Sequence, residues 1–310
     1  MGPLPDHPTH HGTHAPSPVR RRRLWLLVAA ALIVLPDLSH ACAIELRVIT
    51  YNVFLRAPAW LFRNDHDTRT AHIPAALTDH DVIVLQEAFS NTHRDRITAA
   101  LAATHPHRTR PLGGDDWRSF NGGVYLFSRW PIEHTDFLVF SECSGPDCLV
   151  KKGATYARVA TPAGPAHVFG LHLQAERAAS EIRASQLREL RSFLDAQFIP
   201  ADEPVLVAGD FNVAYDGPDG TESTEFRALA QVLDVVLAEV NPAPSFEAGN
   251  TLLDGDISER LDYVLFSRRH ARPCTATSRV LPIRHDGRDL SDHHAVTAEF
   301  TFPAASPPPP

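Results

Sequence analysis

The chain lacks a lysine- or arginine-rich block beyond Arg23, a second cysteine pair or a histidine at metal-ligand spacing to its cysteines, an internal repeat, and an apolar run long enough to cross a bilayer. Each absence excludes a class of protein. A membrane-spanning helix takes about 20 apolar residues, whereas the longest run here, Leu24 to Leu35, has 12. Extended nucleic acid needs many cations against its phosphates, so without a basic stretch it is not the expected substrate. Four cysteines without ligand-spaced partners speak against a zinc module. No linker precedes the final proline run, which leaves one domain rather than two.

The N-terminal segment differs from the rest. Arg20 to Arg23 precede the apolar run and PDLSHACA follows it, which is the order of an export signal: basic block, short apolar core, small-x-small site. Residues 1–43 therefore read as a removable signal, with Ser39-His40-Ala41 and Ala41-Cys42-Ala43 as alternative cleavage sites, and the expected location is secreted or periplasmic. The arginines before Leu24 and Trp25 also loosely fit a twin-arginine signal. Cys42 is a candidate lipid attachment site, and an uncleaved anchor is a further alternative. Without residues 1–43, Lys plus Arg falls from 29 to 25 and Asp plus Glu from 37 to 35, so the mature chain carries a net charge of about −10. Such a surface repels a phosphate backbone. In an oxidising compartment Cys143 and Cys148, five apart across Gly-Pro, are expected to form a structural disulfide, leaving Cys274 without a partner. The expected catalytic domain is 44–302, followed by a proline-rich tail at 303–310.

Strand-like and helix-like patterns alternate through this domain. Apolar or alternating runs fall at 45–51, 81–86, 123–128, 137–140, 155–160, 166–172, 204–208, 261–266 and 294–301. Helical patterns fall at 68–78, 91–103, 177–198 and 222–238. The mixture predicts an α/β fold with sheets covered by helices. Polar residues cluster where the strand patterns end: Asn52, Glu87, His172, Asp210 with Asn212, Asp262, and Asp292 with His293. In the stretch AGDFNVAY the strand is expected to break at Gly209, and a period of two puts Asp210 and Asn212 on one side. An Asx turn at either residue is the alternative. Oxygen-rich ligands without cysteine suit a hard cation such as Mg²⁺.

TYNVF, VLQEAF, NGGVYLFSRWPI, GLHLQAE, GDFNV, LDYVLFS and SDHHAV occur in that order and resemble the successive motifs of the endonuclease/exonuclease/phosphatase superfamily over about residues 46–300. Among its members the wording is most similar to the secreted bacterial and neutral sphingomyelinases. The resemblance implies a four-layer sandwich of two mixed β-sheets flanked by helices. It also implies Mg²⁺-dependent hydrolysis of sphingomyelin, with Mn²⁺ or Co²⁺ as stand-ins. The alternatives on the same catalytic set are a secreted nuclease and a phospholipase C acting on other phospholipids. Residue by residue, it makes Glu87 the principal metal ligand with Asn52 beside it, and places Asp292 at or next to the metal. His293 becomes the general base and Asp262 its orienting partner. Asp210 positions water or the metal's waters, while Asn212 and His172 donate to phosphate. The partner implied is a phospholipid at a membrane surface; no protein partner is evident and a monomer is expected.

Two departures stand out. His294 and Ala295 follow the expected base where the family usually has proline two residues on. The segment between Asp262 and Asp292 contains no aromatic residue after Phe266, whereas several secreted sphingomyelinases carry an aromatic-tipped hairpin there that enters the bilayer. Trp60, Leu61 and Phe62 are the expected substitute for membrane contact, since aromatic side chains partition into lipid interfaces; packing in the core is their alternative role.

Overall fold

A computed structural model describes residues 42–56, 65–113, 121–216, 221–240 and 243–304. Trp60, Leu61 and Phe62 lie outside the described residues, as do residues 1–41. The strands in the first half are β1 (Cys42–Asn52), β2 (Val82–Gln86), β3 (His107–Arg108), β4 (Tyr125–Ser128), β5 (Ile132–Val139), β6 (Gly153–Thr161) and β7 (Gly164–His172). The second half adds β8 (Val205–Asp210), β9 (Val235–Leu237), β10 (Glu239–Val240), β11 (Asp262–Ser267), β12 (Thr275–Leu281), β13 (Arg284–His285), β14 (Arg288–Asp289) and β15 (Ala295–Pro303). The α-helices are α1 (His66–Leu77), α2 (Asn91–Leu101), α3 (Ser180–Asp195) and α4 (Thr224–Leu233), and a 3-10 helix covers Gly145–Leu149.

Two mixed sheets result, ordered β10-β12-β15-β1-β2-β4-β3 and β5-β6-β7-β8-β11-β9. Alternation along each strand explains why they stack. In β1, Leu46 and Val48 join Val82, Val84 and Leu126 in packing against Val159, Val168, Leu206 and Val264 of the second sheet. Ile49 and Tyr51 point the other way, with Ile83 and Leu85, onto Ile73 and Leu77 of α1 and Ile97 and Leu101 of α2. The outer face of the second sheet takes Leu187, Leu190 and Phe193 of α3 and Phe226 and Leu229 of α4. The outcome is the expected four-layer sandwich. At Gly170 the inter-sheet space is closed, because a Cβ there would lie 2.7 Å from Leu126 Cδ1 and from Val84 Cγ1.

Several sequence expectations are corrected. The helical pattern at 222–238 stops at Leu233, where Asp234 turns left-handed (φ 53°), and the β-branched run that follows pairs with β11 as β9. The strand expected at 137–140 is the end of a longer edge strand, β5. β12 gave no signal, since among its residues only the polar Ser278 is buried. The strand that was expected to break at Gly209 runs on to Asp210; a Cβ at Gly209 would sit 2.2 Å from Leu171 O, so only glycine allows the neighbouring strand this close.

The cysteine reading is corrected too. Cys143 and Cys148 are bridged as expected, but Cys274 is not left over: it is bonded to Cys42. Cys42 opens β1, opposite Pro303 of β15. A boundary after Ala43 would discard half of this bridge, and the same sulfur cannot also carry a lipid.

Candidate active site

The polar strand ends converge because of register. His172, Asp210 and Asp262 are cross-strand neighbours on β7, β8 and β11, so three chemistry-bearing residues leave one sheet at one level. Asn52 ends β1 opposite Gln86, and Glu87 follows directly, which delivers the first sheet's contribution to the same edge. His293 comes from the turn before β15 and is bridged to Phe246, whose ring lies 5.1 Å from the imidazole. Glu87 and Asn212 both adopt left-handed backbone, φ 54° and 50°, a conformation that costs energy for non-glycine residues and gathers at functional sites.

Asp210 is the hub. Its Oδ2 accepts from Asn52 Nδ2 at 3.0 Å and faces His172 Nε2 at 3.4 Å and His293 Nε2 at 3.8 Å. Its Oδ1 accepts the backbone N–H of Asn212 at 3.0 Å, so the Asx turn offered as the alternative reading is present, and the carboxylate also faces the site. Asn212 does not share a strand face with Asp210; its Nδ2 donates to Leu173 O at 3.0 Å. Asn52 Nδ2 also donates to Glu87 Oε1 at 3.2 Å. Asp292 is tied into the cluster through Ser291, whose hydroxyl donates to Asn52 O at 2.5 Å and to Asp292 Oδ1 at 3.3 Å.

His293 Nδ1 lies 2.8 Å from Asp262 Oδ2. This fixes the ring and leaves Nε2 directed toward Asp210. Burial pulls the His293 pKa down, but the carboxylates of Asp262 and Asp210 outweigh it and hold the value well above the ordinary one. His172 is the opposite case: burial, Lys152 and His293 keep it well below, so it is neutral. Burial raises Glu87, and it pushes Asp210 and Asp292 up to about 6, with Asp262 adding to the rise at Asp210 and Glu87 to that at Asp292.

This surplus of buried negative charge is what a cation would relieve. Asp262 Oδ1 and His172 Nδ1 are buried without a hydrogen-bond partner. Ligand atoms of Asp210, Asp262 and His293 lie within 4.8 Å of one another, a group that could hold a metal ion; it is distinct from the expected ligands Glu87, Asn52 and Asp292, of which Glu87 and Asn52 are in direct contact. Four acidic oxygen donors and an amide suit a hard divalent cation, so the residues present fit the expected group.

The sequence reading missed Lys152. Its ammonium is buried, pairs with Asp147 Oδ2 at 2.7 Å and donates to Leu173 O at 3.0 Å, one residue past His172. Asp147 also accepts the backbone N–H of Ala175 at 2.8 Å, so the Cys143–Cys148 loop is clamped to the strand end that carries His172. The only signal was the motif KKGATYARV, in which either lysine could have pointed outward. Ser245 was also missed; its Oγ accepts the N–H groups of Leu261 and Asp262, each at 3.0 Å. His294, where proline-related wording was expected one residue on, sits 3.1 Å from Glu247 and takes a structural role.

The chain is similar to known proteins over most of its length. The chain is 28% identical over 303 residues to a sphingomyelinase C of Bacillus cereus, covering 83% of this chain and 89% of that one. The solved sphingomyelinase C of Streptomyces griseocarneus is 32% identical, with 83% and 99% covered and a TM-score of 0.73. A β toxin of Staphylococcus aureus solved with bound magnesium ions is 25% identical, with 82% and 99% covered and a TM-score of 0.73. Residues 49–293 match the endonuclease/exonuclease/phosphatase family, and the chain belongs to it.

Proposed function

We propose that the protein is an exported phosphodiesterase that hydrolyses sphingomyelin to ceramide and phosphocholine, with Mg²⁺ as its cofactor. The observation that carries the reading is the convergence of the Asp262–His293 pair with His172, Asp210 and Asn212 at one edge of the sandwich. The names of its relatives, sphingomyelinase C and a magnesium-binding β toxin, support the substrate and the ion. Two disulfides support export, since such bonds persist in oxidising compartments.

When bound by Glu87, Asn52 and Asp292, the cation supplies charge against the phosphate and lowers the electrophilic barrier at phosphorus. The chain's own residues do the rest. In its unprotonated form His293 takes the proton of the attacking water at Nε2, and Asp262 holds the ring and stabilises the imidazolium that forms. Asp210 orients that water between the imidazoles. Asn212 and the neutral His172 donate to phosphate oxygens without adding another base. The water oxygen bonds to phosphorus as the bond from phosphorus to the ceramide oxygen breaks; the departing oxygen takes a proton from solvent, and His293 returns to solvent the proton it took from the water.

The test uses the purified protein with Mg²⁺ or chelator on sphingomyelin vesicles, phosphatidylcholine vesicles and plasmid DNA. Mg²⁺-dependent phosphocholine release from sphingomyelin with intact plasmid is expected. Nicked plasmid and untouched lipid would overturn the substrate and keep the catalytic set.

A further inference from the structure

Large apolar side chains that remain exposed in a soluble protein mark contact surfaces when they share one rim. Among the described residues the exposed ones are Phe137, Val139, Leu149, Phe198 and Ile257. Phe137 and Val139 belong to the edge strand β5 itself. The other three stand between strands, Leu149 at the end of the 3-10 helix, and strand register places them at different ends of the second sheet.

Leu149 ends the 3-10 helix just before β6, and β6 begins at Gly153, directly opposite His172. Ile257 lies just before β11, which begins at Asp262 opposite Asp210. Both side chains therefore stand on the end of the sheet from which the catalytic residues emerge. Phe198 lies between the end of α3 and the start of β8, at the other end of the same strands.

Both rim loops are held in place. The Leu149 loop is clamped through Asp147 to Lys152 and Ala175, and the Cys143–Cys148 bridge closes it. The Ile257 loop is anchored by the bridge of Glu259 to Phe246 and by the 2.6 Å pair of Glu259 with Arg177. Even so, Leu149 is 68% and Ile257 48% exposed. Fixed loops that leave apolar side chains in water give up burial energy and gain it back only when another apolar phase meets them.

We infer that Leu149 and Ile257 are the points at which the protein enters the surface of a zwitterionic phospholipid bilayer, one on each side of the active-site edge. The inference rests on the proposed lipid substrate, whose phosphodiester must be reached at the bilayer surface. The two side chains replace the aromatic hairpin that this chain lacks: the turn between β13 and β14 is Asp286-Gly287. Charge selects the bilayer. Asp254 and Asp256 flank Ile257, Glu259 is offset by Arg177, and the chain is net acidic, so an anionic surface would repel this rim.

The experiment measures vesicle partitioning of the parent chain and of Leu149→Ser, Ile257→Ser, the double variant and Phe198→Ser. Vesicles are sphingomyelin with phosphatidylcholine, and chelator is present to stop turnover. Turnover of a soluble phosphocholine ester with Mg²⁺ is followed in parallel. Each rim substitution is expected to weaken partitioning by about tenfold, and the double variant by more. Phe198→Ser, although it removes the side chain with the highest exposure, 89%, is expected to change nothing. Ester turnover stays at the parent rate in all four variants, which shows that they are folded. Replacing part of the phosphatidylcholine with phosphatidylserine is expected to reduce binding. The inference is overturned if the parent does not bind, if the double variant binds like the parent, if Phe198→Ser loses as much, or if anionic lipid strengthens binding. Vesicle binding through these residues without cleavage of any phosphocholine ester would instead overturn the proposed function and leave the docking surface standing.

Discussion

His293 Nδ1 and Asp262 Oδ2 are 2.8 Å apart, and both residues are buried. In the proposed mechanism the pairing sets the tautomer of the base and the pH at which it works. Asp262→Asn keeps the size of the side chain but removes the charge, so kcat is expected to fall by about 10²–10⁴. The sign of the pH effect follows from the cause. Asp262 helps to hold the His293 pKa well above its ordinary value. Without that carboxylate the imidazole gives up its proton more readily, and the acid limb of the kcat/KM profile moves to lower pH. A limb that stays in place would remove Asp262 from the orienting role.

Glu87 tests the cation. Chelator is expected to abolish turnover and Mg²⁺ to restore it. A folded-state ligand also stabilises, by about 2.7 kcal/mol at a hundredfold excess over Kd, so Mg²⁺ should raise the Tm of the parent. Glu87→Gln should lower Mg²⁺-dependent turnover by at least about 10² and reduce that rise in Tm, because an amide cannot supply the missing charge. Full activity in the variant would refute the metal assignment.

Lys152 holds the loop and the strand end together. Lys152→Met leaves the partly exposed Asp147 without its cation and Leu173 O without its donor, a loss of about 1–3 kcal/mol. Urea unfolding would read that loss. The double change Lys152→Met with Asp147→Leu removes both charges and should recover most of the stability. If activity returns with stability, Lys152 acts only through the fold; continued loss of turnover in a stable double variant would show that its charge beside His172 and Glu87 is needed.

The sequence made the polar strand ends of the candidate site legible because each one interrupts an apolar run, as Glu87 does after VIVLQ and Asp210 after VLVAG. It could not show that Asp210 would face both imidazoles, since that depends on the register of β7, β8 and β11. β12 escaped notice because a strand whose one fully buried residue is the polar Ser278 has no apolar alternation to read. The Cys42–Cys274 bridge was hidden for a different reason. Its cysteines are 232 residues apart, and only the pairing of β1 and of β12 with β15 brings them together.

That bridge ties the start of the first strand to the start of β12 across almost the whole fold. Closing so long a loop restricts the unfolded chain, and loss of such a bond costs about 2–5 kcal/mol. Cys42→Ser with Cys274→Ser should therefore lower the urea midpoint while leaving kcat unchanged, because neither residue approaches the catalytic edge. Cys143→Ser with Cys148→Ser closes only a short loop but sits beside Asp147, so it should show the reverse: little stability lost and turnover reduced. Equal effects from the two pairs would mean that the short bridge does not hold the His172 loop.

His66 gives a stability change with a definite direction. It lies buried in α1 with both ring nitrogens unpartnered, and burial together with the Arg69 and His93 charges lowers its pKa to about 4. The unfolded chain binds this proton near the ordinary value of 6.5, and the folded chain does not until about 4. The stability owed to the neutral ring is thus complete above pH 6.5 and is lost as pH falls toward 4. Asp210 and Asp292, raised to about 6, act in the opposite sense, since the folded state takes up their protons first. Comparing urea midpoints of the parent and of His66→Gln between pH 7.5 and pH 4.5 isolates the histidine, because the carboxylates are common to both. The parent should lose more stability over this range than the variant; parallel curves would show that His66 can be protonated without strain in the folded state.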